Sequence, residues 1–322
     1  MASSRNKKPP NNPLSVALAD CLTRWATTGQ SLVVAYSGGM DSTVLLHALK
    51  RMAPDFQLQV SAMHVNHGLS PRAWEWGAHC AKTCAEWNIP LHSRQIELGR
   101  PSGEGVEALA RKARLDVLEA YPADWILMAH HADDQAETVL HNLLRGTGPR
   151  GAAGMPERRG RILRPWLAVP RSAVLEYART HRLSWIEDES NTDRRYTRNY
   201  LRHDVMPVLA QRFPRAVEQL SAAARRFGEA QDLLDQLALV DLQSARAEFP
   251  VAVELLRALS PSRAQNALRA LLSLQQAQLP HEVRLREFVR QLQTATSDRH
   301  PSLETKTYRV FVKARMLHFA RR

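Results

Sequence analysis

The stretch that decides the fold is Ser31-Leu32-Val33-Val34-Ala35-Tyr36-Ser37-Gly38-Gly39-Met40-Asp41-Ser42-Thr43. It begins as a short apolar run, which is typical of a buried strand, and it enters a tight turn before a helix. Glycines in the turn let backbone N–H groups approach phosphate oxygens, and the helix N-terminus adds partial positive charge. The stretch therefore favours a phosphate-binding turn over a plain strand–helix turn that carries only a helix cap.

Residues 37–43 form the predicted ATP cradle, which consists of Ser37, Gly38, Gly39, Met40, Asp41, Ser42 and Thr43. The hydroxyl groups can donate to phosphate, whereas the carboxylate of Asp41 would be repelled by it. We therefore predict that Asp41 binds Mg²⁺. The Gly-x-x-x-x-Gly-Lys-Ser/Thr loop of γ-phosphate transfer is absent from this turn.

Strands and helices alternate on both sides of this stretch. Further strands are expected at 58–65, 91–98 and 125–129, and helices at 43–52, 74–87, 106–121 and 132–144. Strands separated by helices of this length predict an α/β fold with a parallel sheet, whose ligands lie at the carboxyl ends of the strands.

The second half of the chain has a different pattern. A loop is expected at 145–160, a helix at 169–182, a short strand at 184–186, helices from about 215 to 293 and a strand pair within 306–319. These patterns predict a disordered tail at 1–13, a first domain at 14–215, and a mainly helical linker and C-terminal domain at 216–322.

The balance of charge indicates the class of partner. The formal charge is +12, which favours a polyanion such as nucleic acid. Seven arginines lie between Arg145 and Arg171 against one acid, Glu157, and we expect this run to flank the active edge of the sheet and contact nucleic-acid phosphates. No run of 18 apolar residues predicts a membrane span. Cys21, Cys80 and Cys84 fit a reducing cytoplasm, and Cys80 and Cys84 are interpreted as buried residues rather than a metal site.

Two further groups of residues are candidates for chemistry. His130, Asp134, Glu137 and Thr138 follow a strand at helical spacing and can share one face. A metal site is one interpretation, and a general base with an orienting histidine is the favoured one, because an amine nucleophile must lose a proton. Arg198 and Arg202 could neutralise a phosphate or a developing anion. Arg111 and Arg114 share one helical face with Glu107, a pattern that by itself favours a solvated, salt-bridged helix.

The cradle resembles the PP-loop of the ATP-pyrophosphatases, which have an adenine nucleotide alpha hydrolase-like fold and split ATP to AMP and pyrophosphate. Together with four later motifs the chain resembles the tRNA(Ile)-lysidine synthetases. The motifs are His64-Val65-Asn66-His67-Gly68-Leu69, His130-His131-x-x-Asp134-x-x-Glu137-Thr138, Glu187-Asp188-x-Ser190-Asn191 and Arg198-Asn199-x-x-Arg202. The resemblance is strong over residues 30–210, and the length resembles the shorter members of the family.

The resemblance implies a reaction at the wobble cytidine of tRNA(Ile) with a CAU anticodon. ATP adenylates the C2 oxygen, pyrophosphate leaves, and the ε-amine of free L-lysine displaces AMP. Asp134 would be the base, His130 its orienter and Glu137 an amine contact, while either Arg198 or Arg202 would stabilise charge. His64 would lie at the ATP site, and Arg111, Arg114 and Arg202 at the tRNA and lysine substrates. Residues 14–215 would be the PP-loop catalytic domain, and the C-terminal domain within 216–322 would bind tRNA. A cytoplasmic monomer or homodimer is expected.

Three rival interpretations stay open at the level of sequence. A PP-loop tRNA thiolase would need a sulfur carrier, usually a cysteine. A small-molecule amide ligase such as NAD synthetase would leave the basic charge unused. A tRNA-binding protein without catalysis would not need Asp41, Asp134 and Arg198 together.

Overall fold

The computed structural model describes residues 12–66, 68, 72–96, 106–187, 193–244, 247–295 and 300–322, and for 106–108 the backbone alone. The chain divides into two compact units, Met1–Arg226 and Phe227–Arg322. Most of the predicted tail and residues 188–191 of the predicted Glu-Asp-x-Ser-Asn motif lie outside the described residues.

A six-stranded sheet forms the centre of the first unit. Its strands are β1 (Ser31–Ala35), β2 (Gln59–Asn66), β3 (Leu91–Gln95), β4 (Trp125–Leu127), β5 (Arg158–Arg159) and β6 (Ile162–Leu163). The spatial order is β3-β2-β1-β4-β6-β5, in which only β5 is antiparallel to its neighbour. The predicted parallel α/β sheet is therefore confirmed.

Helices cover both faces of this sheet. They are α1 (Pro13–Trp25), α2 (Met40–Phe56), α3 (Ala73–Glu86), α4 (Val106–Ala120), α5 (Ala132–Leu144), α6 (Pro149–Ala152), α7 (Arg171–Thr180), α8 (Thr197–Tyr200), α9 (Met206–Arg212) and α10 (Ala216–Asp241), with a π-helical turn (Leu201–Val205) between α8 and α9. Leu32 and Val34 of β1 pack with α1, α2 and α7, while Val33 points to the opposite face, where α4 packs.

The position of β1 decides where a ligand can bind. Because β2 lies on one side of β1 and β4 on the other, the strand order reverses between β1 and β4. Loops that follow two such strands diverge and leave a crevice at the carboxyl edge. The cradle follows β1 and the His130-His131 motif follows β4, so both meet at this crevice.

The second unit combines helices with a small antiparallel sheet. Its elements are β7 (Val251–Ala252), α11 (Val253–Arg257), α12 (Pro261–Leu274), α13 (Glu282–Thr294), β8 (Ser302–Glu304), β9 (Tyr308–Lys313) and β10 (Met316–Arg321). The strands pair in the order β7-β10-β9-β8, and Leu268, Leu271, Phe288 and Val310 lie in the core. The strand pair expected within 306–319 is confirmed as β9 and β10.

The strand expected at 184–186 is wrong. These residues have irregular structure, and the N–H of Ile186 donates to the carbonyl of Gly38 at 2.9 Å. Trp185 packs against the main core. The segment therefore rests on the cradle instead of extending the sheet.

The interpretation of residues 145–160 as a plain loop is also wrong, because they contain α6 and β5. Gln135 anchors the segment, since its side chain exchanges hydrogen bonds with the peptide groups of Met155 at 2.8 and 2.9 Å. Gly154 approaches Gln135 so closely that a Cβ would lie 2.7 Å from its Oε1.

The arginine run does not follow the active edge as a whole. Arg158 stacks over Trp25, Arg159 pairs with Glu119 at 3.0 Å, and Arg161 donates to the carbonyl of Ala123. These arginines surround the first residues of β4 and β6, which is the amino edge of the sheet. The prediction that they flank the active edge is therefore wrong for Arg158, Arg159 and Arg161.

Candidate active site

The cradle is held in shape by its own hydroxyl groups. Ser42 Oγ donates to the carbonyl of Gly39 at 3.1 Å and lies 3.1 Å from Ser37 Oγ, and Thr43 Oγ1 donates to the same carbonyl at 2.9 Å. Met40 begins α2, whose first N–H groups have no carbonyl in the preceding turn to bond. The turn therefore presents backbone donors to an anion, while Ser42 and Thr43 stabilise the turn itself.

Gly38 is the position in the cradle where a side chain would not fit. Its φ is +84°, and a Cβ there would lie 3.0 Å from Cys80 Sγ and 3.3 Å from Ile186 Cδ1. Cys80 in turn lies 3.5 Å from His64 Nδ1. The glycine is therefore required both for the backbone conformation and for the close packing beneath the turn.

His64 is buried and lies 3.1 Å from the carbonyl oxygen of Tyr36 through Nδ1. Its ring thus joins the carboxyl ends of β1 and β2. An ATP contact at this position would use the backbone, and that contact stays a prediction. Arg114 and Ser37 line a small cavity of about 20 Å³ between these strand ends.

Two carboxylates and two guanidinium groups form a four-membered ion cluster, which we call the site quartet: Asp134, Glu137, Arg198 and Arg202. Asp134 Oδ1 lies 2.9 Å from Arg198 Nη2 and 2.7 Å from Arg202 Nη2. Glu137 lies 3.2 Å from Arg198 Nε and 2.6 Å from Arg202 Nε. The carboxylates are buried and the arginine side chains are about a third exposed, so the quartet closes one wall of the crevice.

The four residues come from two motifs that the sequence analysis treated separately. Asp134 and Glu137 lie on α5, Arg198 on α8 and Arg202 on the π-helical turn. Such turns are rare and often occur at functional sites. Thr138, which was expected on the same face, donates to the carbonyl of Asp134 at 2.7 Å and is used within the helix.

His131 is the residue that the sequence interpretation missed. Its Nε2 lies 3.4 Å from Asp134 Oδ2 and 3.7 Å from Asp41 Oδ2, and its Nδ1 lies 3.6 Å from Asp133. Burial opposes its charge, but these carboxylates outweigh burial and raise the pKa of His131. His131 also caps α5 reciprocally with Asp134, and its place in the His-His pair was the available signal.

The contact predicted between His130 and Asp134 is therefore made by His131, and the catalytic role of His130 stays a prediction. His130 is surrounded by cations instead. Burial, together with the charges of Arg164, Arg198 and Arg111, lowers the pKa of His130 to about 3 against the opposite effect of Asp134.

The same cationic surroundings affect two other arginines. Burial, then Arg111 and Arg198, lowers the pKa of Arg114, while burial with Arg159 and Arg111 lowers that of Arg164 to about 10. Arginines that lower each other's pKa repel one another, so holding them close costs free energy. An anionic ligand bound between them would offset that cost. Arg111 and Arg114 thus lie where the sequence predicted substrate binding, and that role stays a prediction.

Asp134 has a pKa that differs strongly from its ordinary value. Burial alone would raise it, but His131, Arg198 and Arg202 lower the pKa of Asp134 well below its usual range. The carboxylate is thus ionised at neutral pH and, in this arrangement, is a weak base.

Asp41 joins the cradle to this cluster. It lies in the first turn of α2, its side chain is 37% exposed, and its Oδ1 is buried with no hydrogen-bond partner among the described residues. An orphaned carboxylate oxygen beside a phosphate cradle suits a hard divalent cation. No group of three or more His, Cys, Asp or Glu side chains suited to a metal occurs in the described ranges, and the binding of Mg²⁺ by Asp41 stays a prediction.

Comparison with known proteins agrees with this geometry. A PP-loop domain family matches residues 12–209, and the TilS substrate binding domain matches residues 252–318. A U34-tRNA thiolase, NcsA from Methanococcus maripaludis with its 4Fe-4S cluster, has a similar fold, with a TM-score of 0.57 and 16% identity over 67% of this chain and 78% of that chain. Fold and site together define a PP-loop ATP-binding protein.

Curated relatives narrow the class. The tRNA(Ile)-lysidine synthase of Nitrosomonas europaea is 40% identical over 311 residues, which cover 93% of this chain and 67% of that protein. That of Alkalilimnicola ehrlichii is 45% identical over 276 residues, which cover 84% and 62%. The chain belongs to the tRNA(Ile)-lysidine synthase family, and it spans about two thirds of the length of these relatives. No helix in the described part of the chain is long and apolar enough to cross a membrane.

Proposed function

We propose that this chain joins L-lysine to C2 of the wobble cytidine of tRNA(Ile) with a CAU anticodon. ATP first adenylates the C2 oxygen and releases pyrophosphate, and the lysine ε-amine then attacks C2 and releases AMP. The reaction belongs in the cytoplasm, where tRNA, ATP and free lysine occur together. The observation that carries the proposal is the site quartet, which places two acids and two arginines beside a phosphate cradle.

The cradle and Asp41 serve the first half-reaction. Backbone donors of the turn and the α2 N-terminus would hold the phosphates that leave as pyrophosphate. Asp41 would hold Mg²⁺, which, when bound, neutralises charge on those phosphates. His131 Nε2 lies 3.7 Å from the same carboxylate. When no cation is bound, His131 can therefore partly balance the negative charge of Asp41.

The quartet serves the second half-reaction by exchanging partners. In the structure Arg198 and Arg202 neutralise Asp134 and Glu137, so an incoming ammonium group finds no free anion. The phosphate of the bound adenylate offers the arginines a bidentate partner of the same charge. We propose that the arginines turn to that phosphate, which releases the carboxylates to bind the lysine amine.

This exchange also supplies a base. The pKa of Asp134 is low because His131 and both arginines surround it, whereas a general base works best with a pKa near the operating pH. Departure of the arginines raises the basicity of Asp134 at the moment when the amine must lose its proton. Glu137 would hold the same amine in place.

A sulfur-transfer reaction of the thiolase kind fits the residues less well. Cys80 and Cys84 are buried in α3, and burial raises the pKa of Cys80 to about 12 and that of Cys84 to about 11. A thiolate is the reactive form of cysteine, so these thiols are poor sulfur carriers.

The test is pyrophosphate release from ATP with purified tRNA(Ile), measured without an amine and then with lysine, ammonia or sulfide. We expect release to require tRNA, and AMP release to follow only when lysine is added. Release without tRNA would favour a small-molecule ligase, and turnover with sulfide but not lysine would favour a thiolase.

A further inference from the structure

A pocket adjoins the site quartet, and its lining contains no residue of the cradle. Its volume is about 330 Å³, and it is lined by Asp133, Glu137, Arg171, Arg202, His203, Met206 and Val217. A volume of this order suits a small ligand. Glu137 and Arg202 belong to both the quartet and the pocket, so a molecule bound here reaches the reacting groups with one of its ends.

The chemistry of the lining is that of a zwitterion site with an apolar middle. Asp133 can receive an ammonium group, Glu137 can receive another once the arginines have turned to the adenylate phosphate, and Met206 and Val217 can cover a hydrocarbon stem. Arg202 is engaged with Asp134 and Glu137, whereas the guanidinium of Arg171 forms no ion pair within the described ranges. Arg171 is therefore the cation that a second, anionic end of the ligand would meet.

The backbone fixes Arg171 beside Asp133. The N–H of Arg171, the first residue of α7, donates to Asp133 Oδ2 at 2.8 Å. Asp133 itself is held on α5, one helical turn before Glu137. Two rigid helices thus hold the three residues: α5 carries Asp133 and Glu137, and α7 carries Arg171.

We infer that this pocket selects the whole amino acid: Arg171 binds the α-carboxylate, Asp133 binds the α-ammonium group, and Glu137 receives the side-chain amine. The inference rests on the proposed function, since it names the residues that choose lysine over simpler amines. It adds Arg171 and Asp133 as specificity-determining residues, neither of which takes part in bond making.

The test compares lysine with two analogues that each lack one group. Cadaverine lacks the α-carboxylate and 6-aminohexanoate lacks the α-ammonium group. We expect Arg171→Met to lower the ratio of kcat/KM for lysine to that for cadaverine by about tenfold or more, because a hydrogen bond between charged groups is lost. Asp133→Asn should lower the ratio of lysine to 6-aminohexanoate in the same way.

Two controls separate recognition from structure. Arg171→Lys keeps a cation and should retain most of the lysine preference, and Arg179→Met, at an exposed position on the same helix, should behave like the parent. An Arg171→Met variant that loses lysine and cadaverine activity in equal proportion overturns the inference, because a structural defect acts on both. If Arg171→Met does not fold, the Asp133→Asn ratio decides alone. A parent protein that incorporates no lysine overturns the proposed function together with the inference, whereas lysine incorporation with unchanged ratios overturns the inference only.

Discussion

Asp134 pairs with two arginines, Arg198 and Arg202, and lies beside His131, and each contact has a consequence for the chemistry. Replacing the carboxylate by an amide removes the proposed base but keeps the shape of the side chain. We expect Asp134→Asn to slow lysine attack by about 10²–10⁴-fold, which is the usual cost of removing a general base, and to slow adenylation less. Adenylated tRNA should accumulate in a quenched-flow assay.

The control for this substitution is Asp55→Asn, which changes an exposed carboxylate near the end of α2. It should leave both half-reactions as in the parent. Equal loss of both half-reactions in Asp134→Asn would place this residue at ATP or the metal and not at the amine.

Asp41 has a buried Oδ1 without a hydrogen-bond partner among the described residues, on a side chain that is otherwise 37% exposed. Such a residue contributes little to stability and much to the binding of a cation. Asp41→Ala should therefore abolish Mg²⁺-dependent pyrophosphate release while the thermal unfolding midpoint stays close to that of the parent. A folded variant with near-normal release would rule out Asp41 as the metal ligand.

For single residues, the sequence identified the members of the quartet, but not that they contact one another. Helical spacing was enough to place Asp134 and Glu137 on one face, and the arginine motif supplied Arg198 and Arg202. The choice between His130 and His131 depended on the backbone at the start of α5, where His131 is the N-cap and turns its ring toward Asp41 and Asp134. Periodicity cannot resolve two adjacent residues at a helix start.

Among the elements, those with strong local signals were predicted well. β1 and α5 are examples, because an apolar run before a glycine turn and a helical repeat are both encoded within a few residues. The segment at 184–186 and the arginine hairpin around β5 were not, because their structure is decided by partners far along the chain, namely Gly38 and Trp25. Tertiary contacts of this kind leave no periodic signal.

The contact between α2 and α7 contains an aromatic cluster that should respond to pH. His47 Nδ1 lies 3.0 Å from the hydroxyl of Tyr177, and its ring packs on those of Trp87 and His181. Burial, followed by the charges of His181, Arg51 and Lys50, lowers the pKa of His47 to about 4. The unfolded chain has a histidine pKa of about 6.5, so it binds a proton that the folded chain does not as the pH falls below that value.

His47 should therefore make the protein less stable as the pH drops from about 6.5 towards 4. We expect His47→Gln to flatten this dependence, and urea unfolding at pH 7, 6 and 5 measures it. The comparison is between the slopes of unfolding free energy against pH in parent and variant. A loss of stability from weaker packing that is the same at every pH does not change those slopes. Parallel curves for parent and variant would show that His47 is not the responsible group.

For the molecule as a whole, the formal charge of +12 matters less than where the arginines lie. Arg194 and Arg195 precede α8, which carries Arg198 into the site, and their side chains are 65% and 87% exposed. Arg158 and Arg159 lie at the opposite edge of the sheet and are engaged with Trp25 and Glu119. Arg194 and Arg195 also form ion pairs, with Asp204 at 2.8 Å and with Asp193 at 2.6 Å, so it is their position beside α8 that distinguishes them. Under the proposed function, this is the pair that we expect to contact tRNA.

The two pairs make a matched experiment, since each double alanine variant removes two charges. Replacing Arg194 and Arg195 should lower the slope of log affinity for tRNA against log salt by about 0.7–0.9 for each lost phosphate contact. Replacing Arg158 and Arg159 should leave the slope unchanged. Equal slopes in both variants would mean that tRNA is attracted by net charge and not by the surface beside the site.

The most direct measurement offers labelled amino acids to the protein with ATP and unmodified tRNA(Ile) that carries a CAU anticodon. Lysine should be incorporated at the wobble cytidine, with one AMP and one pyrophosphate released for each product, and mass spectrometry of the nucleosides identifies the adduct. Ornithine should react weakly, because a missing methylene is worth about 1–3 kcal/mol in a shaped pocket. Arginine should hardly react, because its guanidinium stays charged and is a poor nucleophile. Absence of lysine incorporation, with ammonia or sulfide incorporated instead, would contradict the assignment while leaving the ATP-splitting PP-loop in place.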